Sequence, residues 1–159
     1  MTLLIDADWL IYSSCCACEQ DIQWDSNLHT LHADERDVHE MVDGRVAHYQ
    51  TIAEGDKDVV MCFTEYPTFR HTIYPEYKAN RKHKRKPLGL RKIIEEVRER
   101  YTSESYAGLE GDDVMAILAT SKKYSDSIVV SVDKDMRSCL LYTSPSPRDK
   151  TPSRMPSSA

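Results

Sequence analysis

Apolar residues in this chain fall into short unbroken runs, separated by stretches that repeat with a helical period. Leu3-Leu4-Ile5, Val59-Val60-Met61-Cys62-Phe63 and Ile128-Val129-Val130 are continuous, as strands buried on both faces are. They predict strands over 2–6, 59–63 and 126–132, with a shorter one around 103–106. Residues 8–18 fit a short helix packed back on the first strand. Val38, Val42, Val46, Tyr49 and Ile52 recur at helical spacing within 34–54, and Asp34 is a fair N-cap. Pro87 is placed to open a helix over 88–101, and another helix starts near Glu110. Residues 20–33 alternate polar and apolar around Asp25-Ser26-Asn27, which predicts a small hairpin. Residues 64–86, rich in Pro, aromatics and Lys, read as a loop or irregular helical excursion. Strands alternating with helices give an α/β fold: a central, mostly parallel sheet with helices on both faces.

The pattern stops near Ser138. Thr143-Ser144-Pro145-Ser146-Pro147 and Pro152-Ser153-Arg154-Met155-Pro156 hold four of the seven prolines and no apolar period. One domain over 1–138 and a disordered tail over 139–159, foreign to that domain, are expected. The tail resembles translated sequencing-adapter read-through, so the natural protein is expected to continue differently after about residue 138.

Each strand leads into carboxylates. Asp6 ends the first, Glu65 follows the second, and Asp133 and Asp135 follow the last. Glu110, Asp112 and Asp113 sit in the first turn of a helix entered through Gly108 and Gly111. First-turn acids also suit a helix dipole, but two adjacent Asp and a Glu exceed what capping needs. In open α/β sheets functional groups gather at the carboxyl ends of strands, so these acids should converge. Like charges that close require a cation, and an all-oxygen donor set favours a hard one, Mg²⁺ or Mn²⁺.

Composition changes the picture only in part. With 159 residues, 40% hydrophobic and 30% charged, the chain suits one soluble domain with a real core. No apolar run approaches the roughly 20 residues of a membrane span, and the start lacks a signal-peptide pattern. Five cysteines, at 15, 16, 18, 62 and 139, read as reduced thiols of a cytoplasmic protein, and Cys15-Cys16-Ala17-Cys18 as core thiols of a buried helix. The net charge of −5 argues against a nucleic-acid partner, but the distribution reverses that. From Lys78 to Lys92 there are eight Lys or Arg and no acid. A solvated helix face is the bland alternative; a one-signed stripe after an aromatic-rich segment is what meets phosphates. Phe69-Arg70 and Tyr77-Lys78 pair an aromatic with a cation, and Arg81 lies three positions after Lys78, so both cations can reach one phosphate. No phosphate-cradling glycine loop and no nucleophile elbow is present.

At these residues the chain resembles the 5′→3′ exonuclease and flap endonuclease family, including bacteriophage members and the 5′-nuclease domain of bacterial DNA polymerase I. The matching strings are Leu4-Ile5-Asp6, Phe69-Arg70 with Tyr74-Pro75-Glu76-Tyr77-Lys78-Ala79-Asn80-Arg81, Gly108-Leu109-Glu110-Gly111-Asp112-Asp113 and Ser131-Val132-Asp133-Lys134-Asp135. The resemblance implies a PIN-like, resolvase-like domain with a basic helical arch and two Mg²⁺ ions, with Mn²⁺ as a substitute. It assigns Asp6, Glu110, Asp112, Asp133 and Asp135 as ligands, with Asp113 beside them. It places Lys78 and Arg81 on the scissile phosphate, as the catalytic cations. Phe69, Arg70, Tyr77, Lys82, Lys84, Arg85 and Lys86 then join these two in contacting DNA. The implied substrate is DNA with a 5′ end or flap, or the RNA of an RNA–DNA hybrid, cut by a phage-encoded or bacterial monomer in the cytoplasm. Two departures stand out. Thr64-Glu65 replaces an Asp found in many members, so Glu65 carries over as a ligand less directly. Nothing after Ser138 resembles the family's downstream helix-three-turn-helix module and further Asp ligands. A PIN-type ribonuclease and a non-catalytic DNA-binding fragment therefore remain as alternatives.

Overall fold

The computed structural model describes residues 1–55, 57–81 and 83–136. Its central sheet is fully parallel, in the order β5-β4-β1-β6, with β1 Thr2–Asp6, β4 Asp58–Cys62, β5 Thr102–Glu104 and β6 Ser127–Val130. A separate antiparallel hairpin pairs β2 Gln20–Asp25 with β3 Leu28–His32. The helices are α1 Ala7–Cys18, α2 Glu35–Ile52, α3 Phe69–Ile73, α4 Leu90–Arg100 and α5 Gly111–Thr120.

Strand alternation sorts the core into two halves. Leu3, Ile5, Met61 and Phe63 point to one face, where Leu10, Ile11, Val38, Val42, Ile93 and Val97 of α1, α2 and α4 cover them. Leu4, Val60 and Cys62 point to the other, under Val114, Met115 and Leu118 of α5. Each fully buried Leu or Ile stabilises the fold by roughly 1.5–3 kcal/mol, so the two layers lock the sheet from both sides. Among the described residues no helix is long and apolar enough to cross a membrane.

Local chemistry explains the ends. Asp6 closes β1 and caps α1 in one step, its carboxylate accepting the Trp9 amide at 3.1 Å. Asp34 caps α2 through the Arg36 amide at 2.8 Å. Pro87 does not open α4. Gly89, in the left-handed region at φ 68°, turns the chain first, and the helix begins at Leu90. The apolar face of α2 ends before Ile52, which faces solvent, and of the three clustered cysteines only Cys15 is core while Cys16 is exposed. The excursion after β4 is irregular, as its composition foretold, but contains α3 and a single 3₁₀ turn at Ala79–Arg81.

The strand order places the site. From β1 the chain builds outward to β4 and β5, then α5 carries it back across the sheet so that β6 joins the other side of β1. That reversal is the switch point where a crevice opens beyond the carboxyl ends of strands. Asp6 lies at the end of β1, Asp133 follows β6, and the N-terminus of α5 lies beside both.

Candidate active site

Asp6, Asp112 and Asp133 form an electrostatic group. Burial pushes the Asp6 carboxyl up to about 6, against the lowering effect of the Trp9 amide, and the charges of Asp112, Asp8 and Asp133 add to the rise. Burial likewise raises Asp112, helped by the charges of Asp133 and Glu110. Oδ1 of Asp112 is buried with no hydrogen-bond partner among the described residues. Asp133 orders its own turn: its amide donates to Ser131 Oγ at 3.1 Å, and its Oδ1 accepts the Asp135 amide at 2.9 Å.

Glu110 is a buried N-cap of α5 held by three groups from the excursion. Lys78 Nζ donates to Oε1 at 2.9 Å and Tyr77 Oη to Oε2 at 3.2 Å, and the Arg70 guanidinium lies 3.5 Å from Oε2. Burial works against the Lys78 ammonium, but its bonds to Glu110 and Tyr77 outweigh that and its pKa rises overall. Lys78 adopts the left-handed backbone at φ 53°, which the fold must impose on a residue with a Cβ.

Asp113 stands beside Asp112 in the first turn of α5 and is engaged by Arg70. It takes a bidentate pair from Arg70, at 2.5 and 2.8 Å, and its Oδ2 accepts the Glu110 amide at 3.2 Å in a capping box. The Arg70 bonds hold its carboxyl below the usual range. Glu65 turns toward Arg98 of α4, at 3.4 Å, while Arg98 also stacks 4.3 Å over the Phe63 ring. Both residues therefore stand as ion-pair partners in this structure.

One residue that sequence reasoning passed over is Asp8. It is largely buried in the first turn of α1, and Oδ2 accepts the Thr64 amide at 2.9 Å. Burial raises its carboxyl; the Thr64 bonds and the charge of Arg98 oppose that, while Glu110 adds to it. The available signal was its place two residues after Asp6, the spacing that also separates Asp133 from Asp135.

The proposed nucleic-acid residues differ in what already holds them. Phe69 is exposed and carries the Arg70 guanidinium 4.7 Å over its ring. Tyr77 packs edge-on against His71 at 5.4 Å. The side chains of Arg81, Lys84 and Lys86 make no hydrogen bond or ion pair among the described residues. Arg85 is engaged by Glu19. Lys82 and the tail 139–159 lie outside the described residues.

The donor set suits a hard divalent cation: all oxygens, mutually repelling, with one buried carboxylate oxygen unpartnered. Among the described residues no three His, Cys, Asp or Glu side chains close on one point. The acids are thus looser than the single nest expected from the sequence, with Asp6, Asp112 and Asp133 coupled through their charges.

A family model described as the 5′-3′ exonuclease, N-terminal resolvase-like domain, matches residues 1–144. The chain is 29% identical over 143 residues to the exodeoxyribonuclease of Enterobacteria phage T3, covering 85% of this chain and 47% of that protein. Its identity to the exonuclease of Escherichia phage T7 is also 29% over 143 residues, covering 85% and 48%. A 71-residue stretch is 41% identical to the flap endonuclease Xni of Shewanella sp. (strain W3-18-1), covering 42% of this chain and 27% of that protein. The chain therefore spans about half the length of its two phage relatives. In fold it is similar to the T5 D15 protein co-crystallized with metal ions, with TM-score 0.58 and 15% identity over 87% of this chain and 50% of that one.

Proposed function

The chain belongs to the 5′-3′ exonuclease family through its N-terminal resolvase-like domain, and from that premise we propose that it hydrolyses DNA phosphodiesters at 5′ ends or 5′ flaps with divalent metal ions. The observation that carries this reading is the crevice itself. Three repelling aspartates, one with a buried unpartnered oxygen, lie beside Glu110, on which the cations of Lys78 and Arg70 converge. A small-molecule phosphatase would leave the basic stripe from Lys78 to Lys92 unexplained.

Asp6, Asp112 and Asp133 would hold the metal, with Glu110 and Asp135 beside them. Bound there, a pair of Mg²⁺ ions would lower the pKa of the attacking water and stabilise the leaving 3′ oxygen. The chain's own groups do the rest. Lys78 stands 2.9 Å from Glu110, so its ammonium is already oriented at the acids and offsets charge developing on the phosphate. Arg81 adds a second cation from the same turn. Phe69, exposed beside Arg70, offers a stacking surface for a base. Burial of Asp6 and Asp8 limits water around the acids, which strengthens each of these interactions.

Cleavage of a labelled 5′-flap duplex in Mg²⁺, with and without chelator, tests the reading beside Asp112→Ala and Asp133→Ala. Chelator-sensitive cutting that both variants lose while still binding DNA supports it. Cutting retained in either variant removes the site. A strict preference for single-stranded RNA in the same assay would favour the ribonuclease alternative.

A further inference from the structure

Glu19 ends α1, and its position is electrostatically awkward. A carboxylate at a helix C-terminus meets the negative end of the dipole, so something else must hold it there. Both oxygens are taken by a segment 66–69 residues downstream. Arg85 donates from both terminal nitrogens, at 2.7 and 2.6 Å, and the Leu88 amide donates at 2.7 Å. The side chain is only 10% exposed, and Arg85 also donates to the Lys86 carbonyl at 3.2 Å. These bonds hold the Glu19 carboxyl down at about 2, so the pair stays charged across the working pH range.

The basic segment is thus held at two feet. Lys78 is tied to Glu110 beside the acids, and Arg85 is tied to Glu19 at the far end of α1. Between them the backbone turns through Arg81 N–H to Lys78 carbonyl and Lys84 N–H to Arg81 carbonyl bonds, of 2.9 and 3.2 Å. Arg81 and Lys84 lie inside this span with side chains that make no hydrogen bond or ion pair among the described residues.

We propose that Glu19 is a positioning residue for nucleic acid: its clamp on Arg85 and Leu88 fixes the downstream foot of the basic segment, so that Arg81 and Lys84 meet phosphates while Arg85 serves as a strut. This assignment rests on the nuclease reading, and it reverses the role that charge alone gives Arg85. A fork-shaped guanidinium already satisfied by a carboxylate would have to break two charge-assisted bonds before it reached a phosphate.

Two measurements on the full chain test it. The first needs no DNA. Trypsin cleavage after Arg81 and Lys84 should quicken severalfold in Glu19→Gln, with the melting temperature nearly unchanged. The second is binding of a labelled single-stranded oligonucleotide across a salt series. Glu19→Gln and Arg85→Gln should each weaken binding by about threefold to tenfold, and the double variant should be no worse than either, as coupled partners behave. The salt slope should stay at the wild-type value, whereas loss of a phosphate contact lowers it by about 0.7. Where the chain cleaves, the change should fall on KM with kcat largely kept. Tighter binding by Glu19→Gln, a reduced slope in Arg85→Gln, multiplying effects, or unchanged trypsin rates would each overturn the proposal. A wild-type chain that holds no oligonucleotide overturns the nuclease reading and the positioning role together; the trypsin comparison then judges the clamp alone.

Discussion

The Asp8 carboxylate accepts the Thr64 amide at 2.9 Å, which ties the first turn of α1 to the exit of β4. The Thr64 hydroxyl accepts the Gly111 amide at 2.9 Å, extending the link to the first turn of α5. Space there is tight: a Cβ on Gly111 would lie 3.3 Å from the Cys62 carbonyl. One threonine therefore joins the elements that carry Asp6 and Asp112.

Thr64→Val keeps the shape of that residue and removes the hydroxyl. The Gly111 amide, buried at the helix start, then has no partner, which costs about 1–3 kcal/mol. Thermal unfolding should show that loss, and kcat should fall because α5 carries Asp112. Thr64→Ser should retain most of both. Equal stability in Val and wild type would show that the link carries nothing.

This linkage also shows where the sequence stops being legible. Strand runs, helical periods and the strand-end acids set out the parallel sheet and brought Asp6, Asp112 and Asp133 to one crevice, because backbone period and chain order decide which face and which end a residue occupies. Side-chain partners are decided by three-dimensional neighbours. Asp8 drew no notice in the sequence because its partner, the Thr64 amide at the exit of β4, lies 56 positions away. Asp113, expected beside the metal ligands, meets Arg70 of α3, a partner 43 positions earlier that no sequence period marks. Glu65 lies just past a strand, where alternation no longer dictates direction, and Arg98 on α4 captures it. Arg85, expected to contact DNA, is held by Glu19, which lies 66 positions earlier in the chain, out of reach of any local pattern.

Asp6→Asn should stabilise the chain in chelator while abolishing cleavage. Asp6 titrates near 6 when folded, against 3.8 as the ordinary value, so the folded chain binds more protons than the unfolded one between these limits. Stability therefore falls as pH rises through that window and stays low above it, by about 3 kcal/mol at most. Asparagine removes the charge and keeps an oxygen for the Trp9 amide. Denaturation in EDTA at several pH values checks this. The wild type should lose stability between about pH 4 and pH 6, and the variant should lose much less. Added Mg²⁺ should raise the melting temperature of the wild type alone, through linkage to the folded state. A wild type with flat pH dependence would show that Asp6 is not held in a desolvated setting.

Arg70→Lys tests the pair with Asp113. Lysine keeps the charge but cannot span both carboxylate oxygens, which Arg70 reaches at 2.5 and 2.8 Å. The partly buried pair should weaken by about 1–2 kcal/mol, loosening α3 against α5. Since Arg70 also lies 3.5 Å from Glu110, cleavage should fall while DNA binding at low salt changes little. Arg70→Lys with wild-type stability and turnover would show that the fork geometry is dispensable.

Lys78 separates a backbone effect from a chemical one. Its φ of 53° suits glycine, and its ammonium is bonded to Glu110 at 2.9 Å. Lys78→Ala deletes the amine and keeps the strained backbone, whereas Lys78→Gly deletes the amine and relieves the strain. Glycine should therefore be the more stable of the two by about 1 kcal/mol. Turnover should fall alike in both, because each lacks the cation proposed to meet the phosphate and leaves buried Glu110 with one partner fewer. Single-turnover cleavage beside thermal unfolding reads the two effects separately. If glycine restored turnover toward wild type, Lys78 would matter for the turn it makes, and the positive charge at the scissile phosphate would have to come from Arg81.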